Sequence, residues 1–290
     1  MTPRNIPQKA YEMIKTEPQS TSESAMKDGQ FRKLLEYFDR PWEGYRNVRN
    51  GVKKRVRRRM NRLGCSDMDQ YLEIIRQNHE ERKACESCLT VTISRFFRDR
   101  RLWEYLRNVV LPDIAERSPE RVNIWSAGCA NGEEAYSLAL LWDMLGTDTR
   151  LHITATDLNT DNLERARLGV YKLSSLKELS GSIRIRYFSP MHEKGGYRIQ
   201  PELTKSIRWL RHNMFDTPLE DVFHVIFLRN NLLTYYHGAE LETALARITE
   251  TLAPRGYLVI GSHERIPENG FAFKRHEQCP WVYQLTGEKQ

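Results

Sequence analysis

Arg121-Val-Asn-Ile-Trp-Ser-Ala-Gly128-Cys-Ala-Asn-Gly132-Glu133-Glu134 runs a hydrophobic strand into a glycine-gated turn, then sets two acids at the mouth of a helix. Gly128 and Gly132 let the backbone bend sharply and come close to a ligand, as in dinucleotide-binding folds. No Gly-Lys-Ser/Thr follows to hold phosphates, and carboxylates placed there repel a polyphosphate. Standing alone, the segment also reads as an ordinary strand-to-helix turn.

Its neighbours extend the pattern. Leu151 to Thr156 reads as the next strand and ends in Asp157, about 25 residues beyond the glycine turn, where doubly wound folds place an acid for ribose hydroxyls. Asp161 is the expected cap of the helix carrying Leu163 and Ala166, which leaves Asp157 for a ligand. Val222 to Leu228 reads as a buried strand ending at Arg229-Asn230-Asn231. A helix through Leu241, Leu245, Ile248 and Leu252 should stop at Pro254-Arg-Gly256, before a last strand from Tyr257 to Ile260. The alternation predicts an α/β doubly wound, mostly parallel sheet with helices on both faces and a ligand site at the strands' carboxyl ends. Acids without phosphate chemistry suit a ligand with hydroxyls and a cationic centre. S-adenosyl-L-methionine, with its ribose, amino acid and sulfonium, has that chemistry.

The 290 residues, 40% of them hydrophobic, allow one large domain and a small one. No apolar run approaches the length of a membrane span, and the amino terminus lacks the apolar core of a secretory signal, so a cytoplasmic location is expected with no membrane insertion. Residues 1–27 read as a flexible tail, 28–112 as a helical N-terminal domain and 113–290 as the sheet domain. The 5 cysteines form no framework spacing, and Cys85-x-x-Cys88 has no second pair, so no metal site is expected.

A formal charge of +7 favours an acidic partner. Nine basic residues and no acid lie between Arg46 and Arg62, while Val48, Val52, Val56, Met60 and Leu63 recur at helical spacing. The segment is therefore an amphipathic helix with a cationic outer surface, of which Arg55, Arg58 and Arg59 are the candidate docking residues for carboxylates or phosphates. A simply solvated face is the plainer alternative.

Thr90-Val-Thr92-Ile-Ser94-Arg-Phe-Phe-Arg98, the glycine turn, Ala-Thr-Asp157-Leu-Asn, Ala166-Arg-Leu-Gly-Val-Tyr171, Asn213, Leu-Arg229-Asn230 and Gly261-Ser-His-Glu264 follow one another in the order seen in the CheR family of chemotaxis receptor methyltransferases, which the chain resembles from about residue 30 to residue 285. The resemblance implies a helical N-terminal domain, a class I (Rossmann-like) methyltransferase domain and a short antiparallel β insert. The insert would fall at about 173–203, where Gly195-Gly196 and Tyr197-Arg-Ile199 read as a hairpin. It implies S-adenosyl-L-methionine as cofactor, S-adenosyl-L-homocysteine as product, and glutamates on a receptor's cytoplasmic helix as acceptors.

By motif position, the resemblance makes Thr92, Ser94, Arg98, Gly128, Glu134, Asp157, Asn213, Met214, Asn230 and Asn231 cofactor contacts, and Arg98 and Tyr235 the residues flanking the methyl group. Asn230-Asn231-Leu-Leu-Thr234-Tyr235-Tyr236 is one residue longer than the family pattern before its aromatic pair, so Thr234 is the position-for-position alternative to Tyr235. Thr92 stands where chemotaxis enzymes carry Asn. Glu133 is expected to serve the helix amino terminus, Phe96 and Phe97 to pack between the domains, and His263 to be structural, since a carboxylate acceptor needs no base. Competing readings keep the cofactor but give it RNA or a small molecule as acceptor, or make the chain a non-catalytic cofactor-sensing module.

Overall fold

The computed structural model describes residues 26–91, 94–191, 195–267 and 272–286. In chain order the helical part comprises α1 (Asp28–Tyr37), α2 (Trp42–Tyr45), α3 (Arg49–Arg62), α4 (Met68–Gln77) and α5 (His79–Leu89). Helices α6 (Arg100–Tyr105) and α7 (Leu111–Arg117) follow, joined by a π-helical turn. Then come β1 (Arg121–Ala127), α8 (Glu133–Leu145), β2 (Arg150–Asp157), α9 (Thr160–Leu168), β3 (Val170–Tyr171), α10 (Gly181–Tyr187), β4 (Phe188–Met191) and β5 (Gly196–Ile199). The chain continues through α11 (Pro201–Thr204), β6 (Ile207–Arg211), β7 (Phe223–Leu228), α12 (Leu232–Tyr235), α13 (Gly238–Glu250), β8 (Leu252–Ile260), β9 (Phe273–Arg275) and β10 (Val282–Leu285).

The main sheet has the order β6-β2-β1-β7-β8-β10-β9. Its first five strands are parallel, and β10 and β9 close the far edge in antiparallel pairs. Strands β1, β2, β7 and β8 are continuously buried toward their carboxyl ends because both sheet faces are covered, as expected of central parallel strands. From β1 the chain moves outward through β2 to β6, then crosses to β7 on the other side of β1. That reversal puts the switch-point crevice at the carboxyl ends of β1 and β7. A separate antiparallel sheet, β3-β5-β4, carries the expected hairpin strands on either side of Gly195-Gly196.

Among the described residues there are three apolar cores: one in the helical part, as far as Val91, and one on each face of the main sheet, the first of these beginning at Phe96. Val52, Val56 and Met60 bury the apolar stripe of α3 against Phe31, Leu34 and Tyr71, whereas Leu63 at its end is exposed. Residues 100–117, assigned by sequence to the helical unit as far as 112, instead pack on the sheet. Leu102, Trp103, Leu106, Val110, Leu111 and Ile114 supply a face apolar enough to cover it. Phe96 and Phe97 likewise sit in the sheet core, Phe96 edge-on to Tyr171 and Phe188. Met26 is buried with the helical core, so ordered packing begins inside the stretch read as a tail; residues 1–25 lie outside the described residues.

Two local expectations are corrected. The cap of α9 is Asn159, whose side chain accepts from the Asp161 amide, while Asp161 sits inside the first turn, where its charge still favours the helix dipole. The helix expected to run through Leu252 ends at Glu250, because Leu252 pairs with Phe223 across β8 and β7.

Candidate functional site

A cavity opens at the carboxyl ends of β1, β2, β6 and β7, and its far wall is the helical unit. Gly128, with φ of 74°, closes its floor after β1. A Cβ there would come within 2.5 Å of the Asn231 amide nitrogen, so a side chain at 128 both strains the backbone and displaces Asn231. Asn231 spans the crevice: its amide donates to the Ala127 carbonyl at 2.5 Å, and its oxygen accepts from the Leu232 amide at the start of α12.

Asp157 ends β2 in the cavity wall. Its Oδ1 accepts from the Asn159 amide at 2.8 Å and from the Asn162 side chain at 3.1 Å; its Oδ2 accepts from the Ala130 amide at 2.9 Å. The acid freed for a ligand by an Asp161 cap thus already organises the start of α9 and the glycine turn. Oδ2 keeps acceptor capacity for a hydroxyl. Burial holds this carboxyl above its ordinary range, with those three donors opposing the shift.

Glu134 also lines the cavity, but both its oxygens have protein partners: Ser126 at 2.7 Å and the Arg229 guanidinium at 3.0 Å. Glu133 turns away under the loop, where burial raises its pKa against hydrogen bonds from its own backbone, Ser94 and Ser175. Ser94, Arg98, Asn213, Met214, Asn230 and Tyr235 all face the cavity. Thr92 lies outside the described residues. Asn213 spends its amide within its own turn, accepting from Phe215 and donating to Asp216. Asn230 adopts φ of 55°, and its backbone amide donates to Glu264 at 2.9 Å.

Arg229, which the sequence left without a role, anchors one wall of the cavity. Its side chain is only 4% exposed. It pairs with Glu134 and, at 2.5 Å, with Asp99, and it donates to the Arg98 carbonyl at 3.3 Å. Phe97 and Asp99, on either side of Arg98, both have positive φ, so the segment presenting Arg98 is a strained loop held by its surroundings. The Trp103 indole donates to the same Arg98 carbonyl at 2.7 Å. The signal was present in sequence: an arginine at the end of a buried strand needs acidic partners.

Tyr235 lines the cavity, whereas Thr234 bonds the Glu264 carboxylate. Burial first, then the Glu264 charge, pushes the Tyr235 phenol up to about 12, with Arg98 opposing. At neutral pH it is therefore a hydroxyl and not a base. Glu264 is buried and its pKa is raised; the hydroxyl of Thr234 and the amides of Asn230 and Gly261 offset part of that shift. Arg40, Tyr45, Arg95 and Tyr236 complete the wall from both units, and the sequence reading assigned none of them.

The docking candidates divide. Arg59 forks onto Glu81 with two contacts of 2.6 Å, and Arg55 donates to the Cys88 and Thr90 carbonyls at 3.1 and 2.7 Å. Both guanidinia are committed inside the helical unit, because acids and carbonyls from neighbouring helices fill the gap that the local sequence shows. Arg58 is exposed and shares one outer ridge, at four-residue steps, with exposed Lys54 and Arg62.

No metal-holding cluster occurs among the described residues. Among the described residues no lysine lines the cavity; an acid ends β2 in its wall, and a glycine floor admits close approach, features that fit S-adenosylmethionine better than a polyphosphate. Residues 92–281 match the CheR methyltransferase SAM-binding domain, and residues 47–90 match the CheR all-alpha domain. The chain belongs to the CheR methyltransferase family. A chemotaxis protein methyltransferase of Salmonella typhimurium is 32% identical over 288 residues, covering 93% of this chain and 95% of that protein. One from Listeria monocytogenes is 38% identical over 181 residues, 62% of this chain and 68% of its own length. One from Escherichia coli is 32% identical over 257 residues, covering 85% and 87%. As a CheR methyltransferase the chain uses S-adenosylmethionine, and its class I fold with an all-helical N-terminal unit accords with the sequence reading.

Proposed function

We propose that this protein esterifies glutamate side chains on an acidic helix of a receptor's cytoplasmic part. The carrying observation is that Arg98 and Tyr235 share one cavity with the Asp157 wall and the glycine floor. S-adenosylmethionine supplies a methyl group on a sulfonium. The acceptor oxygen bonds to that carbon as the carbon–sulfur bond breaks, its electron pair passing to sulfur, so opposite charges vanish and no proton moves. A site that aligns the reactants and excludes water then supplies most of the acceleration.

Arg98 holds the acceptor carboxylate by a charge-assisted fork and aims one oxygen at the methyl group. Tyr235 lines the methyl channel as a neutral hydroxyl. Asp157 accepts a ribose hydroxyl; Ser94, Glu134, Met214, Asn213, Asn230 and Asn231, with Thr92, complete the cofactor contacts. The ridge Lys54, Arg58, Arg62 steers the acidic helix, taking over the part first given to Arg55, Arg58 and Arg59. Among the described residues no helix is long and apolar enough to cross a membrane, and we assign the protein to the cytoplasm, where the receptor's acceptor helices lie.

The test is incubation with radiolabelled cofactor and receptor-containing membranes, followed by mild alkali. Label released as methanol supports an ester on a carboxylate. Label that resists alkali points to nitrogen or carbon and defeats the reading.

A further inference from the structure

The two units meet along one paired track. As the chain runs from 39 to 45, its partner runs from 237 back to 234. Asp39 pairs with His237 at 3.2 Å, and the Arg40 guanidinium lies over the Tyr236 ring at 3.8 Å to its centroid while also holding Glu86 at 2.9 Å. Gly44 abuts Thr234, and the Tyr45 and Tyr235 rings stand 4.9 Å apart. Tyr45 is in turn fixed from behind by Phe31, edge-on at 5.7 Å, within the helical core.

Gly44 is the tightest point. A Cβ there would overlap the Thr234 carbonyl oxygen and stand 3.2 Å from both the Thr234 methyl and the Tyr235 ring. Backbone cannot swing aside as a long side chain does, so only glycine permits this approach. On the opposite side, Thr234 is held by Glu264, which also takes the amides of Asn230 and Gly261. The four-residue helix α12 is too short to fix its own position, and its tyrosine takes its place from these two supports.

We infer that Gly44 and Tyr45 are positioning residues for Tyr235: the helical unit completes the methyl site by seating α12, besides any part it has in meeting the acceptor. This rests on the reading of Tyr235 as the tyrosine beside the methyl group. Acceptor docking and methyl-site geometry then belong to one rigid helical unit, with α2 touching the chemistry and α3 facing outward.

Two measurements test it. In the first, wild type, Gly44→Ala, Tyr45→Leu and Tyr45→Phe are compared for turnover on a chemoreceptor cytoplasmic helical fragment with unmodified glutamates. Rates are normalised to S-adenosylhomocysteine-binding sites, so that loss of folded protein does not count. Displacement of a methyl-site group by about 1 Å lowers kcat on the order of 10- to 100-fold, and that loss is expected in Gly44→Ala and Tyr45→Leu with product affinity held within about twofold. Tyr45→Phe keeps the ring and should recover most of the rate. The second measurement needs no acceptor: hydrogen exchange at residues 232–236 with S-adenosylhomocysteine bound should accelerate in Gly44→Ala and Tyr45→Leu but not in Tyr45→Phe. Wild-type rates and exchange in both disruptive variants would overturn the inference. Should wild type itself fail to methylate the fragment, the acceptor reading falls, and the exchange arm still decides whether α12 is seated from Gly44 and Tyr45.

Discussion

Asp157 holds three donors before a ligand enters, and its carboxylate is nonetheless pushed upward in pKa by burial. Ribose hydroxyls need the ionised form as acceptor. Acidification protonates this group from above its usual 3.8, since the folded pKa is raised. Cofactor affinity is therefore expected to fall on acidification, by about tenfold per pH unit once below that pKa. In Asp157→Asn the affinity should be weaker by about 1.5 to 3 kcal/mol at neutral pH and the acid limb should disappear; calorimetry in which wild type and variant share one pH profile removes Asp157 from the site. Arg98, as proposed, is expected to separate binding from turnover. Arg98→Lys keeps the charge but loses the planar fork, so turnover should drop strongly while S-adenosylhomocysteine still binds. Normal turnover in that variant would leave Arg98 a general electrostatic part only. For Arg59, removal of the guanidinium strands the buried Glu81, whose carboxylate keeps the neutral Tyr71 hydroxyl at 2.8 Å as a donor. Because Arg59 is itself 31% exposed, the loss in Arg59→Ala should fall near the low end for a broken buried pair, about 3 kcal/mol, read from urea denaturation as a lowered midpoint.

At the scale of elements, α3 shows how far sequence carries. Its apolar stripe was legible from spacing because burial follows helical periodicity, and Val52, Val56 and Met60 are buried as that spacing requires. Which of its cations face outward was not legible, since their partners come from other elements: Asp28 for Arg49 and Lys53, Glu81 for Arg59, two carbonyls for Arg55. The cap of α9 failed for a related reason, because Asn159 and Asp161 are both good cap residues and only the backbone path chooses between them. The strands β1, β2 and β7 and the Asp157 position were legible, being set by local hydrophobicity and the spacing of one βαβ unit. From the outward ridge follows a kinetic expectation: Lys54→Ala, Arg58→Ala and Arg62→Ala together should raise KM for a receptor fragment, most at low salt, where the wild-type attraction is least screened. Arg55→Ala is the contrast, since its loss frees two carbonyls inside the helical unit. A triple variant that methylates like wild type at every ionic strength would mean the ridge is merely solvated.

Across the whole molecule, the cofactor cavity joins pieces far apart in sequence: the Ser94–Arg98 segment, the turns after β1 and β2, the stretch after β6 and the loop after β7. Arg229 ties two of these through Glu134 and Asp99, and Asp157 ties the turn after β1 to the start of α9. The helical unit closes the wall with Arg40 and Tyr45. A ligand bridging these segments binds the folded chain and not the unfolded one, so its binding free energy adds directly to stability. At a concentration about 100 times Kd the gain is about 2.7 kcal/mol, which for a chain of this size raises Tm by roughly 4 to 5 °C. S-adenosylhomocysteine is expected to move the unfolding of the sheet core by that amount, and the helical core with it, because α2 and α12 share the cavity wall. Calorimetry that shows the helical unit melting unshifted while the sheet unit rises would mean that the cavity is closed without it. The same ligand concentration should shift Asp157→Asn by less, since its higher Kd lowers the ratio of ligand to Kd that sets the gain.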